Sequence, residues 1–297
     1  MKKVSVFGGV SLDTVIYLQE LPQGKSETLF SSGMREQIGS TGTGKAANLC
    51  HLGFQVLLHA QVGTDAAGEK VRRYFSALPM QTLFFDDPRG TETHVNLMDK
   101  SGSRISIYTG YNTFEPDMDF QALEQVVMET DYLVVNILNY ARKIIPIGKK
   151  HGKKIWCDLH DYDGVSEYHQ DFVAGADYLF LSAERMADPL RFMRHQIASG
   201  KQLVVCTNGK KGACALNAKG EFVETGIISN YDVIDTNGAG DAFFSGFLYG
   251  HARGASLADC MKYAAICGGL CVSSDSLASE QLSTELIESE FRVRELK

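Results

Sequence analysis

Proline is scarce in this chain of 297 residues, with 6 prolines against 29 glycines. Rigid spacers and Pro-rich linkers are thereby excluded, and a compact fold with many close backbone approaches is expected. Positive charge is in deficit too: 29 Lys and Arg face 36 Asp and Glu, for a net charge of -7. No general positive field is left to hold nucleic acid or anionic lipid. The 7 cysteines, at 50, 157, 206, 214, 260, 267 and 271, include no C-x-x-C pair. In a chain too large to need staples, this odd number reads as buried, reduced thiols. Cys267 and Cys271 fall at helical i,i+4 spacing on an apolar stripe, the mark of core packing. The 8 histidines form no H-x-x-x-H or Cys/His ligand pattern. Long hydrophobic runs are missing as well, since nowhere do about 18 apolar residues follow one another. Gly8, Gly9 and Asp13 cut short the apolar stretch after Lys2 and Lys3, so a cytoplasmic protein without a secretory signal is expected.

What is present is an ordinary globular composition, 44% hydrophobic and 22% charged, which excludes disorder and collagen-like repeats. Short β-type runs at residues 4–7, 132–135, 154–157, 178–181 and 203–206 end in glycine or acidic residues and lead into helical patterns. Such alternation predicts an α/β fold with a mainly parallel central sheet flanked by helices. Two segments, about 14–38 and 91–109, alternate apolar and polar side chains instead and predict half-exposed antiparallel strands in a small separate sheet. No repeat or linker divides the chain, so residues 1–297 are expected to form a single domain.

The strongest local signal is Asp235-Thr236-Asn237-Gly238-Ala239-Gly240-Asp241, followed by an apolar helical run. Small residues at 238–240 let consecutive N–H groups converge on one point, and the helix that begins there adds the positive end of its dipole. An anion fits that point, and Asp241 beside it can take a proton from an attacking hydroxyl. The plainer reading is a helix start with an acidic residue favouring the dipole.

A second cluster, Gly39-Ser40-Thr41-Gly42-Thr43-Gly44-Lys45-Ala46, meets G-x-x-x-x-G-K but has Ala46 where a P-loop places the hydroxyl that holds Mg²⁺. The residues before it, 34–38, make a poor buried strand. A glycine-rich turn entering a helix remains, through which a polar ligand can approach backbone amides. A third cluster, Thr207-Asn208-Gly209-Lys210-Lys211-Gly212, leaves a buried strand at the sheet edge where ligands bind in open α/β folds; alone it reads as a hairpin turn. Asp158, His160, Asp161 and Asp163 crowd one strand end and read as a solvated acidic loop, with metal or substrate binding as the alternative.

Taken in order, these clusters resemble the PfkB carbohydrate kinases, the ribokinase-like sugar kinases, over nearly the whole chain. The stretch from Asp235 onward is similar to the family's D-T-x-G-A-G-D-A-F-x-x-G-F signature. The resemblance implies a ribokinase-like fold with a β lid built from 14–38 and 91–109, ATP with Mg²⁺, and Asp241 as catalytic base. It makes Gly238, Ala239 and Gly240 the anion hole, and Asp235 with the carbonyl of Asn237 a site for an activating monovalent cation such as K⁺. Asp13 in Gly8-Gly9-Val10-Ser11-Leu12-Asp13 resembles the family's sugar-binding aspartate, with Gly39, Ser40, Gly44 and Asn112 also on the substrate side. Ser182, Glu184, Thr207, Gly209 and Gly212 correspond to the nucleotide side.

Three motifs depart from the family pattern. Matched by its length over residues 39–53, the first signature, G-G-x-x-x-N, has Ser40 at its second glycine and Gly44 at its sugar-binding Asn; Asn48 serves only in a register that shortens the helix by a turn. N-x-x-E is replaced by Ser182-Ala183-Glu184-Arg185, and Ala265 stands where many relatives carry Asn. The expected activity is ATP-dependent phosphorylation of a sugar, or sugar-derivative, hydroxyl. The expected partner is a small sugar rather than nucleic acid or membrane, and the lid admits a homodimer. A nucleoside kinase, a non-catalytic sensor derived from a kinase, and a P-loop NTPase using Lys45 are the rival readings.

Overall fold

The computed structural model describes residues 1–100 and 102–295. Its strands are β1 Lys3–Phe7, β2 Ser11–Tyr17, β3 Gly33–Gly39, β4 Gln55–Val62, β5 Gln81–Asp86, β6 Glu92–Met98, β7 Arg104–Gly110, β8 Tyr132–Val135, β9 Ile155–Asp158, β10 Tyr178–Ser182, β11 Leu203–Thr207, β12 Ala213–Asn217 and β13 Phe222–Thr225. Its α-helices are α1 Thr41–His51, α2 Ala66–Ser76, α3 Phe120–Glu129, α4 Ile144–Lys150, α5 Gln170–Gly175, α6 Pro189–Ala198, α7 Ala239–Ala252, α8 Leu257–Val272 and α9 Thr284–Glu295.

The larger sheet has nine strands in the order β13-β12-β11-β10-β9-β8-β1-β4-β5. Pairing is parallel from β5 through β11 and antiparallel at β12 and β13. The continuous apolar runs of β1, β8, β9, β10 and β11 are explained by cover on both faces. On one face Val4 and Val6 pack with Leu49, Val71, Phe244, Met261 and Ile287, from α1, α2, α7, α8 and α9. On the other, Phe7, Leu133 and Val135 pack with Leu123, Ile144, Phe172 and Met193, from α3, α4, α5 and α6. Trp156, the single tryptophan, stacks on Tyr178 with ring centroids 4.1 Å apart and meets Phe244 edge-on. Ser256 caps α8 by accepting from the Asp259 amide at 3.1 Å, the capping arrangement its sequence suggests. All 7 cysteines are free, and all but Cys214 are buried.

The chain enters the sheet at its centre, adds β4 and β5 on one side, and returns to place β8 on the other. The strand order therefore reverses between β1 and β8, and the crevice at the carboxyl ends there is where an open α/β sheet binds its ligands. Gly8 and Gly9 follow β1 at that edge, Asn136 follows β8, and Asp158, Ser182 and Thr207 end β9, β10 and β11.

The smaller sheet runs β3-β2-β6-β7. Its strands match the two alternating segments, except that β3 and β7 each run one residue further and β2 starts earlier, carrying Asp13. One expectation is corrected: β2 and β6 pair parallel, because a long excursion through the main sheet joins them and no hairpin does. Register sets Asp13 beside His94, and His94 beside Tyr108. The period of two then sends Asp13, His94, Asn96 and Tyr108 to one face of the lid and Leu12, Ile16, Val95, Leu97, Ile105 and Ile107 to the other. No helix among the described residues is long and apolar enough to cross a membrane.

Candidate active site

Gly238 is the N-cap of α7 and adopts φ 81°, a left-handed conformation that suits glycine; a Cβ there would also meet Leu277 Cα at 2.9 Å. The first bond into the helix runs from the Ala242 amide to the Gly238 carbonyl, 2.9 Å. The Ala239 amide donates to the Thr236 carbonyl at 3.4 Å, while those of Gly240 and Asp241 have no carbonyl four residues back within the helix and lie at the positive end of the dipole. Asp241 lies on this first turn and is buried, at 7% exposure.

A carboxylate so placed does not stay ionised unaided. Burial pushes the Asp241 carboxyl above its ordinary range, opposed by the charge of Lys45. Lys45 is wholly buried, with Nζ 2.5 Å from Asp241 Oδ1 and 2.9 Å from Asp158 Oδ2. Burial alone would neutralise the amine, but the two carboxylates raise Lys45 well above the usual lysine range. Burial likewise works against ionised Asp158, yet the charges of His160 and Lys45 hold it down at about 2. Room for the arrangement comes from Gly44, where a Cβ would lie 2.4 Å from Asp241 Oδ2.

On the acceptor side Asp13 is 3% exposed and its carboxylate is held by Ser11 Oγ at 2.6 Å, Asn96 Nδ2 at 3.0 Å and His94 Nδ1 at 3.1 Å. His94 also pairs with Glu92 at 3.1 Å. Burial disfavours its charge, but hydrogen bonds to Asp13 and Glu92 lift its pKa to about 9, so it is an imidazolium at neutral pH. Tyr108 packs on it with ring centroids 4.0 Å apart. Gly39 lies against Asp13, since a Cβ there would overlap Oδ2 at 2.2 Å. Asn136, 1% exposed at the end of β8, has no hydrogen-bond partner for either amide atom, and buried amides are seldom left so without a ligand or water.

The residues expected on the nucleotide side lie at the ends of β10 and β11, where Ser182 and Thr207 are register partners. Ser182 Oγ accepts from the Glu184 amide at 3.2 Å, and the Ala183 amide donates to the Thr207 carbonyl at 2.7 Å. Gly209 and Gly212 shape the turn into β12, with the Asn208 amide on the Gly212 carbonyl at 2.7 Å. A cavity of about 360 Å³ opens there, lined by Ala183, Asn208, Lys211, Thr225 and Gly226 among others.

The structure thus brings Asp241, residues 238–240, Asp13, Gly39 and Gly44 to one crevice, and sets Ser182, Glu184, Thr207, Gly209 and Gly212 along its nucleotide edge. Asn112 is engaged elsewhere: its Nδ2 donates to the Gly90 carbonyl at 3.1 Å, tying together the ends of the lid. Asn48 Nδ2 donates to the Gly44 and Leu277 carbonyls at 2.7 and 2.8 Å, while its buried Oδ1 has no partner. Asp235 gives Oδ2 to Arg35 at 2.6 Å and Oδ1 to the Asn237 amide at 2.8 Å, and Arg104 bonds Asn237 Oδ1. The P-loop reading fails, because Lys45 is buried on two carboxylates and β3 is a lid strand. The acidic loop is corrected as well: Asp158 is buried, with Lys45 as its partner. Its signal in the sequence was a carboxylate closing an apolar strand; that of Lys45 was a lone lysine among glycines and alanines.

Residues 1–284 match the family described as pfkB family carbohydrate kinase. The chain belongs to that family. Among its relatives, the acarbose 7(IV)-phosphotransferase of Actinoplanes sp. is 32% identical over 270 residues, 89% of this chain and 90% of that enzyme. A solved microbiome-derived acarbose kinase superposes with a TM-score of 0.88 at 27% identity, covering 98% of this kinase and 99% of that chain. Arabidopsis thaliana ribokinase, solved with ribose and ATP, superposes with a TM-score of 0.79 at 19% identity over 98% and 99% of the two chains. The protein is an ATP-dependent carbohydrate kinase with the ribokinase-like fold.

Ser40 takes φ 71° and ψ 158° at the N-cap of α1, a region almost reserved for glycine, and makes no side-chain cap. Non-glycine residues held there cost about 1–3 kcal/mol. Ser40→Gly is accordingly expected to stabilise this kinase by a comparable amount, read as a higher midpoint of urea unfolding. A lower midpoint would contradict the backbone conformation described.

Proposed function

We propose that the kinase transfers the γ-phosphoryl group of ATP to a sugar hydroxyl seated by Asp13, with Asp241 as the base. One kinase domain with its lid would do so. The observation that carries the reading is the buried carboxylate of Asp241 on the first turn of α7, beside the helix start formed by Gly238, Ala239 and Gly240. Asp241 takes the hydroxyl proton as the oxygen attacks phosphorus, and the amides absorb the charge developing on the phosphoryl oxygens. Asp13, fixed by Ser11, His94 and Asn96, orients the acceptor. The unpartnered amide of Asn136 adds hydrogen-bonding capacity at the same edge. The lid keeps water away from the phosphoryl group.

Mg²⁺ travels with ATP and neutralises phosphate charge when bound; the exposed carboxylate of Glu184 at the nucleotide edge is a hard oxygen donor suited to hold it. A monovalent cation does not fit beside Asp235 as it stands, because the Arg35 guanidinium already neutralises that carboxylate at 2.6 Å. No step depends on it. The names of the relatives at 32% and 27% identity put acarbose first among acceptors to try. The charge of -7 and the free thiols support a small-molecule substrate and a cytoplasmic setting.

The outward lid face, with Leu12, Ile16, Val95, Leu97, Ile105 and Ile107, suits a second copy of the chain packed about a two-fold axis, and Ile107 is 45% exposed on it.

Three outcomes check this reading. In an ADP-release assay over acarbose, ribose, deoxyribose and nucleosides, Asp241→Asn should lose about 3–5 kcal/mol of transition-state stabilisation while still binding ATP; an unaltered rate would remove Asp241 from its role. Replacing K⁺ by tetramethylammonium should leave the rate unchanged in the parent, whereas Arg35→Gln should create a dependence on K⁺. Light scattering should give twice the chain mass for the parent and the single mass for Val95→Glu/Ile107→Glu; a monomeric parent would refute the dimer.

A further inference from the structure

The fully buried Lys45 has no part in a P-loop, and the general-base reading of Asp241 does not by itself call for it. Its ammonium meets three groups: Asp158 Oδ2 at 2.9 Å, Asp241 Oδ1 at 2.5 Å, and the face of Phe244 at 5.2 Å from the ring centroid. The contacts come from β9 and from the first two turns of α7, so one charge from α1 ties three elements at the reacting edge. Ser245 adds a second tie between the helices, donating to the Asp241 and Lys45 carbonyls at 2.8 and 3.4 Å.

We propose that Lys45 is a positioning residue for phosphoryl transfer: it clamps Oδ1 of Asp241, leaves Oδ2 as the proton acceptor, and is itself anchored by Asp158. The inference rests on the reading of Asp241 as base. Oδ2 is the oxygen that Gly44 accommodates, in the space a Cβ would fill. Other titratable groups facing Asp241 are Asp158 and His160 from the end of β9 and Cys271 from α8. Burial and the charges of Asp241 and Asp235 push the Cys271 thiol up to about 12, so it is neutral. Among these groups Lys45 is the cation in direct contact with the carboxylate.

The step balances. The acceptor O–H bond breaks and Oδ2–H forms, while the acceptor oxygen's pair makes the new bond to phosphorus. The bond from phosphorus to the bridging oxygen breaks and ADP leaves with that pair. Lys45, Asp158 and Asp241 together carry one net negative charge before the transfer and none after it. Lys45 remains paired with Asp158 when Asp241 has become neutral, so no buried cation is stranded. Without Lys45, a carboxyl at 7% exposure beside another carboxylate would hold its proton at neutral pH and accept none.

The test follows the Asp241 carboxyl carbon by NMR in protein labelled with ¹³Cγ-aspartate, the resonance being assigned by its loss in Asp241→Asn. In Lys45→Met the titration midpoint should rise by about one pH unit or more, and the acid limb of kcat/KM for the best acceptor of the panel should move up with it, with KM for ATP held. If two unpaired buried carboxylates unfold that variant, Lys45→Met/Asp158→Asn carries the measurement, with a smaller shift in the same direction. A midpoint equal to the parent's in a folded variant overturns the proposal; a role in stability alone would lower the unfolding midpoint and leave the titration in place. The resonance needs no acceptor, so this outcome is separable from failure of the base assignment, which Asp241→Asn activity decides.

Discussion

A single buried ammonium organises the reacting edge of this kinase. Lys45 has no water to solvate it, and such a charge persists in a low-dielectric interior because opposite charges meet it at hydrogen-bond distance. Asp158 and Asp241 do so from two different elements, and each depends on the lysine in return, since burial alone would protonate both. The three groups are therefore mutually conditional. A glycine at 44 is part of the same condition, because a side chain there would take the space of the Asp241 carboxylate.

The lid extends this logic to the acceptor. Its strands alternate so that one face is charged and hydrogen-bonded and the other is apolar, and Asp13 sits in a frame of Ser11, Asn96 and His94. His94 carries its positive charge because Glu92 and Asp13 both face it. Two buried carboxylates, Asp13 and Asp241, are thus each set beside one buried cation, His94 and Lys45. That symmetry of charge is imposed by tertiary neighbours and by no local motif.

Much of this was legible in the sequence. The central strands announced themselves as apolar runs closed by glycine or acid, and the glycine-rich start of α7 follows from the need to aim amides at an anion. The lid was visible as period-two alternation, although the parallel pairing of β2 with β6 was not, because pairing between distant strands leaves no trace in either strand's pattern. Lys45 was seen in the wrong company: its neighbours spell most of a phosphate-binding loop, and the partners that overrule this lie 113 and 196 residues away. Asp158 read as solvated for the same reason, since the sequence does not display the distant lysine buried with it. Asn112 fits the family's substrate pattern by position yet ties the lid's ends through Gly90.

The bonds between lid and phosphate loop have a consequence of their own. Arg35 of β3 and Arg104 of β7 reach Asp235 and Asn237, and Thr236 Oγ1 donates to the Gly102 carbonyl at 3.2 Å. The loop they grip is the one that shapes the start of α7. A lid that lifts to admit sugar must release this loop, and a loop ordered by phosphate offers the lid a finished surface to close upon. A ligand that ordered the loop would thereby favour the closed sheet, and one that closed the sheet would favour the ordered loop by the same factor.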